Sequence, residues 1–465
     1  YAIKYQPIKK TFMQWQLLNS CHGAHHMRYK IAVALILLLA LAVRLSAALW
    51  WDQLASNEGR LFRFGDSDSY WHLAKDIAQG LPYQYGSENA SIFRAPGYPL
   101  LLSTMAWIDP EKKAVWIARV LGCLLGTVVV ALTMMATMRF KNPSATLISG
   151  LCVAFYPGAI GMSVTILSEQ LFVPLMMLHL LLVNRWLNIP DSTTQESKSD
   201  RPKNPSSISA APMLACLSGA IAGIAILTRP SFLLFIPLFA VVSFLTNPRK
   251  SLVVNITLAG LGIAACMLPW WYRNYRITDR FVPTTLQVGA SLYDGLHQGA
   301  SGGSDEGMKF SEEFATQLTE EERKPERHLE STFEYRLNRR LQSAAIEWSK
   351  QNPTEVAKLA ASKFLRTWNP WPPAVELSSF WVRLTESIGC FSVLVLSAIG
   401  FFAYRDRWKE MYIFLLPTLY FTLLHMVFVG SIRYRQPAVV ALCVLAGLGA
   451  ATLIKIGRLG KLQQT

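Results

Sequence analysis

Two carboxylates stand two residues apart in Gly65-Asp66-Ser67-Asp68-Ser69-Tyr70-Trp71-His72, a polar stretch that follows an apolar run and opens an aromatic-rich amphipathic pattern. Asp66 and Asp68 could act as a general base, ligate a divalent cation such as Mg or Mn, or cap the helix that starts there, and the stretch alone leaves all three readings open. Further on, Arg94 precedes the rigid turn Ala95-Pro96-Gly97-Tyr98-Pro99. A guanidinium suits a phosphate because its planar fork donates paired, charge-assisted hydrogen bonds, although contact with bulk lipid headgroups would place an Arg there equally well. Glu169, in Ser168-Glu169-Gln170, lies in an apolar run, where a carboxylate is costly and must face a cavity or a partner such as Arg229.

The elements that must hold these residues are membrane helices. Of 465 residues 52% are hydrophobic and only 16% charged, against roughly 45–50% and 25% in soluble domains, so an ordinary soluble enzyme, a disordered chain and a coiled coil are poor readings. The mean hydropathy of +0.26 agrees. The net charge of +15 sits in short groups between apolar runs and not along one polar face, which excludes nucleic acid as a partner and points to membrane topology. The seven Cys show neither zinc spacing nor the density of a disulfide scaffold and are expected to be free thiols.

A span needs about 20 mostly apolar residues. Ten such segments are expected, near 31–50, 114–138, 145–160, 164–187, 213–227, 232–245, 252–270, 380–404, 411–429 and 438–454. Lys and Arg fill every second connection: Arg28 and Lys30, Arg139 and Lys141, Arg185 to Lys203, Arg249 and Lys250, Arg405 to Lys409, and Lys455 to Lys461. Basic residues are retained in the cytoplasm, so both termini are expected there. Arg229 and the pair Arg433/Arg435 break this pattern and need another reason for their charge, which an anionic lipid phosphate would supply.

Two long polar segments are left on the outer face: 51–113, which carries Asp66 and Arg94, and 271–379, expected to be a small helical domain with helices near 310–322, 326–350 and 356–368. Residues 100–108 are too short to span and read as re-entrant or interfacial. Residues 190–209 are Pro/Ser-rich and read as a disordered cytoplasmic linker. The division expected is therefore an N-terminal membrane region 27–270, the extracytoplasmic segment 271–379 and a C-terminal membrane region 380–465. Met27-Arg28-Tyr29-Lys30 reads as the start of an inner-membrane protein, which makes residues 1–26, with Cys21, His22, His25 and His26, either an extension or a mistaken upstream start, and not a structured metal site.

Taken in order, GDSDSYWHLAKDIAQGLPY, RAPGYPLLL, ILSEQLF, LTRPSFLLFIP, LPWWYRNYRITDRFVP, VGASLYDG, NPTEVAKLAASKFLRTWNP and SIRYRQP resemble the polytopic GT-C glycosyltransferases, specifically the bacterial family similar to protein O-mannosyltransferases and the lipid A aminoarabinose transferase. The resemblance runs from Gly65 to Pro437. It implies an all-α polytopic membrane fold and transfer, with inversion, of a sugar from a polyprenyl-phosphate donor to a hydroxyl of a lipid, glycan or protein acceptor on the extracytoplasmic face of a bacterial inner membrane. It also implies Asp66 as base, with Asp68 kept as base or metal ligand because Ser67 stands where the family commonly has a second acid. Arg94 and Arg433/Arg435 would bind the lipid phosphate, with Tyr98, Glu169, Arg229 and Arg273 as further substrate contacts. A divalent metal is compatible with Asp66, Asp68 and Glu169 but not required. A carrier or flippase of lipid-linked sugars, or a glycan ligase or polymerase, is the rival. Convergence of Asp66, Arg94, Glu169 and Arg433 in one place would favour a transferase, and a string of them through the membrane a carrier.

Overall fold

The computed structural model describes residues 8–87, 89–189, 210–305, 308–323, 330–373 and 378–462. Among these there is helix and no strand. The helices are α1 (Ile8–Asn57), α2 (Gly65–Ala78), α3 (Gly97–Ala106), α4 (Glu111–Met138), α5 (Pro143–Phe155), α6 (Pro157–Val164), α7 (Glu169–Leu187), α8 (Ala210–Thr228), α9 (Phe235–Thr246), α10 (Lys250–Thr278), α11 (Val288–Gly295), α12 (Lys309–Glu322), α13 (Phe333–Gln351), α14 (Pro353–Thr367), α15 (Phe380–Ala403), α16 (Trp408–Val427) and α17 (Ile432–Leu462). The expected linker 190–209 lies outside the described residues.

All ten expected apolar segments are helical, but they do not all qualify as spans. Eight are long and apolar enough to cross a membrane by length and composition, which makes the chain an integral membrane protein. A ninth would be α5 with α6, which meet at a 55° bend. The segment Pro230–Thr246, a short 3₁₀ turn running into α9, is an apolar helix of intermediate length, about 25 Å at 1.5 Å per residue. The bend has a chemical cause. Pro157 has no N–H to give the Val153 carbonyl, and it drives Tyr156 into an extended conformation. Arg44, fully buried on α1, takes over: Nη2 donates to the Val153 carbonyl at 3.0 Å and Nη1 to that of Ala154 at 3.4 Å, while Nε donates to Ser163 Oγ at 3.2 Å. Backbone freed inside an apolar bundle must find such a donor.

The centre of the bundle is α17, buried continuously from Ala438 to Leu448 and packed against α5, α15 and α16. At one end of the bundle the basic connections touch each other. Arg139 and Arg407 both pair with Glu410, at 3.1 and 2.7 Å, and Arg249 donates to the Leu187 and Ile189 carbonyls. Helix order then puts the other connections at the opposite end. There, α10 continues eight residues past the expected boundary at 270, ending only where Asp279 adopts a left-handed conformation (φ 52°), because Trp271 to Thr278 contain no Gly or Pro to stop it. Helices α11 to α14 form the expected helical segment, with α13 starting later than 326; residues 324–329 are outside the described set.

Candidate active site

Each charged side chain at this end is delivered by a helix terminus or a tight turn. Asp66 lies in the first turn of α2 and Glu169 opens α7, where the positive ends of the helix dipoles favour carboxylates. Helix α2 is fixed from two sides: Trp71 Nε1 donates to Glu111 Oε1 at 2.7 Å, and Arg119 of α4 pairs with Asp52 and donates to the Leu61 carbonyl at 2.7 Å, holding the chain between α1 and α2. Arg94 enters through the turn before α3. Gly97, the first residue of α3, abuts the end of α8, where a Cβ would lie 2.8 Å from the Leu227 carbonyl, so only glycine lets α3 start so close to the end of α8. Arg433 stands in the first turn of α17.

These five side chains form one chain of alternating charge. Arg94 Nη2 donates to Asp66 Oδ1 at 2.7 Å, and Arg433 Nη1 donates to Asp66 Oδ2 at 2.7 Å. Arg433 also donates through Nη2 to Glu169 Oε2 at 3.0 Å, and Arg229 Nη1 meets Glu169 Oε1 at 2.5 Å. Three guanidiniums against two carboxylates leave a surplus of positive charge. The Nε atoms of Arg94 and Arg229 are buried without a hydrogen-bond partner, so donor capacity is also in surplus. Side-chain exposure falls from 33% at Asp66 through 25% at Arg433 to 1% at Glu169, so the cluster is open on the Asp66–Arg433 side and closed behind Glu169. Burial opposes ionisation of Asp66, but the charges of Arg433 and Arg94 overcome it and hold the carboxyl well below the usual range.

Asp68, two residues on, is exposed and faces His72 Nε2 at 3.5 Å instead. Neither carboxylate caps α2, which has no side-chain cap bond. A cation shared by Asp66, Asp68 and Glu169 does not fit this arrangement, because Asp68 points away and Arg433 fills the space between the other two. No group of three or more His, Cys, Asp or Glu side chains converges among the described residues.

Tyr98 is fully buried; its hydroxyl donates to Gln170 Oε1 at 2.8 Å and its ring meets Tyr70 edge-on, so it braces the residue beside Glu169. Arg273 sits behind the Arg94 loop, donating to the Ser91 carbonyl at 3.0 Å and stacking on Trp270 and Tyr83. Arg435 departs furthest from expectation. Wholly buried, it pairs with Glu386 at 3.3 Å and donates to the Thr367 and Asn369 carbonyls at 3.2 and 2.6 Å, tying α17 to the ends of α14 and α15. Arg435→Ala should therefore reduce the yield of folded protein while leaving ligand affinity per folded molecule within about twofold, measured by thermal unfolding beside binding; a selective loss of affinity would return it to the site.

Sequence reasoning missed four neighbours. Tyr85 and Gln287 reach Arg94, at 3.5 and 3.4 Å. Tyr434 underlies Arg229 and Arg433 and stacks on His425 with centroids 4.1 Å apart. Only adjacency to Arg433 signalled Tyr434, and nothing local signalled the others.

No protein-family model matches the chain, and no curated protein matches it. Among solved structures, the apo oligosaccharyltransferase of Archaeoglobus fulgidus is similar at 13% identity with a TM-score of 0.52, covering 94% of this chain and 52% of that one, so this chain spans about half its length. ArnT from Cupriavidus metallidurans bound to undecaprenyl phosphate is matched at 15% identity and a TM-score of 0.42, over 90% and 77% of the two chains. The archaeal oligosaccharyltransferase AglB from Archaeoglobus fulgidus, in complex with an inhibitory peptide and a dolichol-phosphate, is matched at 15% identity and 0.49, over 91% and 51%. The fold is thus similar to that of the apo oligosaccharyltransferase, and all-helical as the sequence resemblance implied.

Proposed function

We propose that the protein is a membrane glycosyltransferase that moves a sugar from a polyprenyl-phosphate carrier to an acceptor hydroxyl of a lipid, glycan or protein, with inversion. The observation that carries this reading is the convergence of Asp66, Arg94, Glu169, Arg229 and Arg433, from segments as far apart as residues 66 and 433, on one end of the bundle. A carrier would need such groups along a path through the membrane. The shared fold with a membrane oligosaccharyltransferase supports the same class.

In the step proposed, the acceptor hydroxyl forms a bond to the anomeric carbon as the bond from that carbon to the phosphate oxygen breaks. The hydroxyl proton goes to Asp66, and the electron pair leaves with the polyprenyl phosphate. Positive charge must be placed where negative charge grows, which is the part of Arg94 and Arg433, with Arg229 held behind them by Glu169. The pairing of Asp66 adds an order of events. While both its oxygens accept from guanidiniums it is a weak base, and a donor phosphate that draws Arg94 and Arg433 to itself frees the carboxylate for the proton. Binding of the donor then prepares the base.

The side of the membrane is part of the proposal. The basic connections gather at the end opposite the cluster, which by the positive-inside rule supports an extracytoplasmic site, periplasmic if the membrane is a bacterial inner membrane. Reporter fusions after Lys203 and after Lys309 should report opposite sides, the first cytoplasmic; agreement between them would remove the site from the outer face. Mass spectrometry of glycans and glycolipids in a deletion strain beside its parent should show one sugar missing from one acceptor class. An unchanged glycome would overturn the transferase reading.

A further inference from the structure

Behind the charged cluster lies a buried carboxylate that the proposed chemistry leaves unused. Glu334, in the first turn of α13, is 7% exposed and belongs to the outer helical segment. Both of its oxygens accept from the Ile92 amide at 3.1 Å, and the Ser91 amide faces it as well. Arg94 is two residues further along. One turn later on the same face of α13, Asn338 Oδ1 accepts from the Gly289 amide at 2.7 Å, two residues beyond Gln287. The two held segments are joined to each other: the Leu286 amide donates to the Ile92 carbonyl at 3.1 Å, and Arg94 Nη1 reaches Gln287 Oε1 at 3.4 Å. One helix face thus grips the main chain beside each of two residues that meet at the head of Arg94.

We infer that Glu334 is a positioning residue, which fixes the main chain at Ser91 and Ile92 and through it aims the Arg94 guanidinium at Asp66 and at an incoming lipid phosphate. The phosphate half of this inference rests on the reading given under Proposed function; the clamp itself does not. A carboxylate is the strong choice for such a clamp because bonds from amides to a charged acceptor are about twice as strong as neutral ones.

The charge is not kept for stability. Burial pushes the Glu334 carboxyl up to about 7, against the pull of the Ile92 and Ser91 amides and of Arg273 from α10, itself stacked on Tyr83. Since that value lies above the roughly 4.3 of an unfolded glutamate, ionising Glu334 subtracts folding stability as pH rises between the two. The grip on the loop has the opposite sign. It strengthens as pH rises through about 7, when the acceptor becomes charged.

The test uses the full chain in detergent micelles with undecaprenyl phosphate as probe, comparing wild type, R94A, E334A, E334Q and the double variant R94A/E334A. Glu334→Ala should weaken probe binding about tenfold, as expected for losing hydrogen bonds to a charged group, and should speed amide hydrogen exchange at residues 91–92. In the R94A background the same change should cost nothing further, because Glu334 acts through Arg94. Glu334→Gln keeps the shape and guards against a variant that fails to fold; it should bind with intermediate affinity and lose less affinity than wild type between about pH 8 and about pH 6, since only wild type titrates here. Additive losses in the double variant, or wild-type affinity in E334A where R94A is weakened, would overturn the positioning role. If wild type does not bind the probe, or R94A binds as wild type does, the phosphate reading fails instead. Exchange at residues 91–92 then decides the clamp alone, and unchanged rates in E334A would overturn it too.

Discussion

Asp66→Asn should lower turnover by at least the roughly 10²-fold typical of losing a general base, while affinity for the lipid phosphate holds or tightens. The second half separates catalysis from collapse of the site. In the resting cluster Asp66 neutralises Arg94 and Arg433 at 2.7 Å each, so removing its charge leaves two guanidiniums with more to offer an anion. A variant that lost turnover and phosphate affinity together would show that Asp66 only orders the arginines. Asp68→Asn, changed at an exposed position facing His72, should stay near wild type. If Asp68→Asn is dead and Asp66→Asn active, the roles are reversed, and if both are active no outer-loop carboxylate is the base.

The acid side of the pH profile carries the same information. A carboxyl held below its usual range contributes stability above roughly pH 4 and loses it as pH falls through the folded value, so Asp66 itself should stay ionised in the resting cluster between about pH 5 and about pH 8. With Arg94 and Arg433 drawn to a phosphate, the Asp66 carboxyl returns toward the ordinary range. An acid limb should therefore appear in turnover of the donor-loaded protein at higher pH than any acid loss of fold.

How much of this was legible in the sequence depends on what each signal measures. Apolar runs of span length report the cost of backbone and charge in lipid, and all ten are helices. Arg229, Glu169 and Arg433 stood out for the same reason, being charges where topology disfavours them, and they do meet. What type and position could not give was direction. Asp66 and Asp68 were treated as a pair, as were Arg433 and Arg435, yet residues two apart on a helix point about 200° away from each other. One member of each pair turns into the cluster and the other out of it: Asp68 to solvent, and Arg435 to Glu386 and the ends of two helices. Helical phase, applied to those two stretches, would have divided both pairs. The contacts of Arg94 with Gln287 and of Ile92 with Glu334 had no comparable signal, since they join positions about 190 and 240 residues apart that only tertiary packing brings together.

Arg433 is the residue on which the arrangement turns, because it alone bonds both carboxylates, Asp66 at 2.7 Å and Glu169 at 3.0 Å. Arg433→Lys keeps the charge but replaces a planar fork of donors by a single ammonium, which cannot span two carboxylates and a phosphate in fixed geometry. We expect it to weaken undecaprenyl phosphate binding by about tenfold or more, and Arg433→Ala to weaken it further, since hydrogen bonds to charged groups contribute about 1.5–3 kcal/mol each. An Arg-to-Lys change at the opposite end of the bundle, such as Arg249→Lys, should cost far less affinity. Neither Arg433 variant should simply unfold the protein: Glu169, 1% exposed, keeps Arg229 at 2.5 Å, and Asp66 keeps Arg94, so no carboxylate is left buried and unpaired. Thermal unfolding beside the binding titration separates the two effects. Unchanged affinity in both Arg94→Ala and Arg433→Ala would leave these arginines as structural partners of Asp66 and Glu169, and the surplus positive charge of the cluster would then need another anion to explain it.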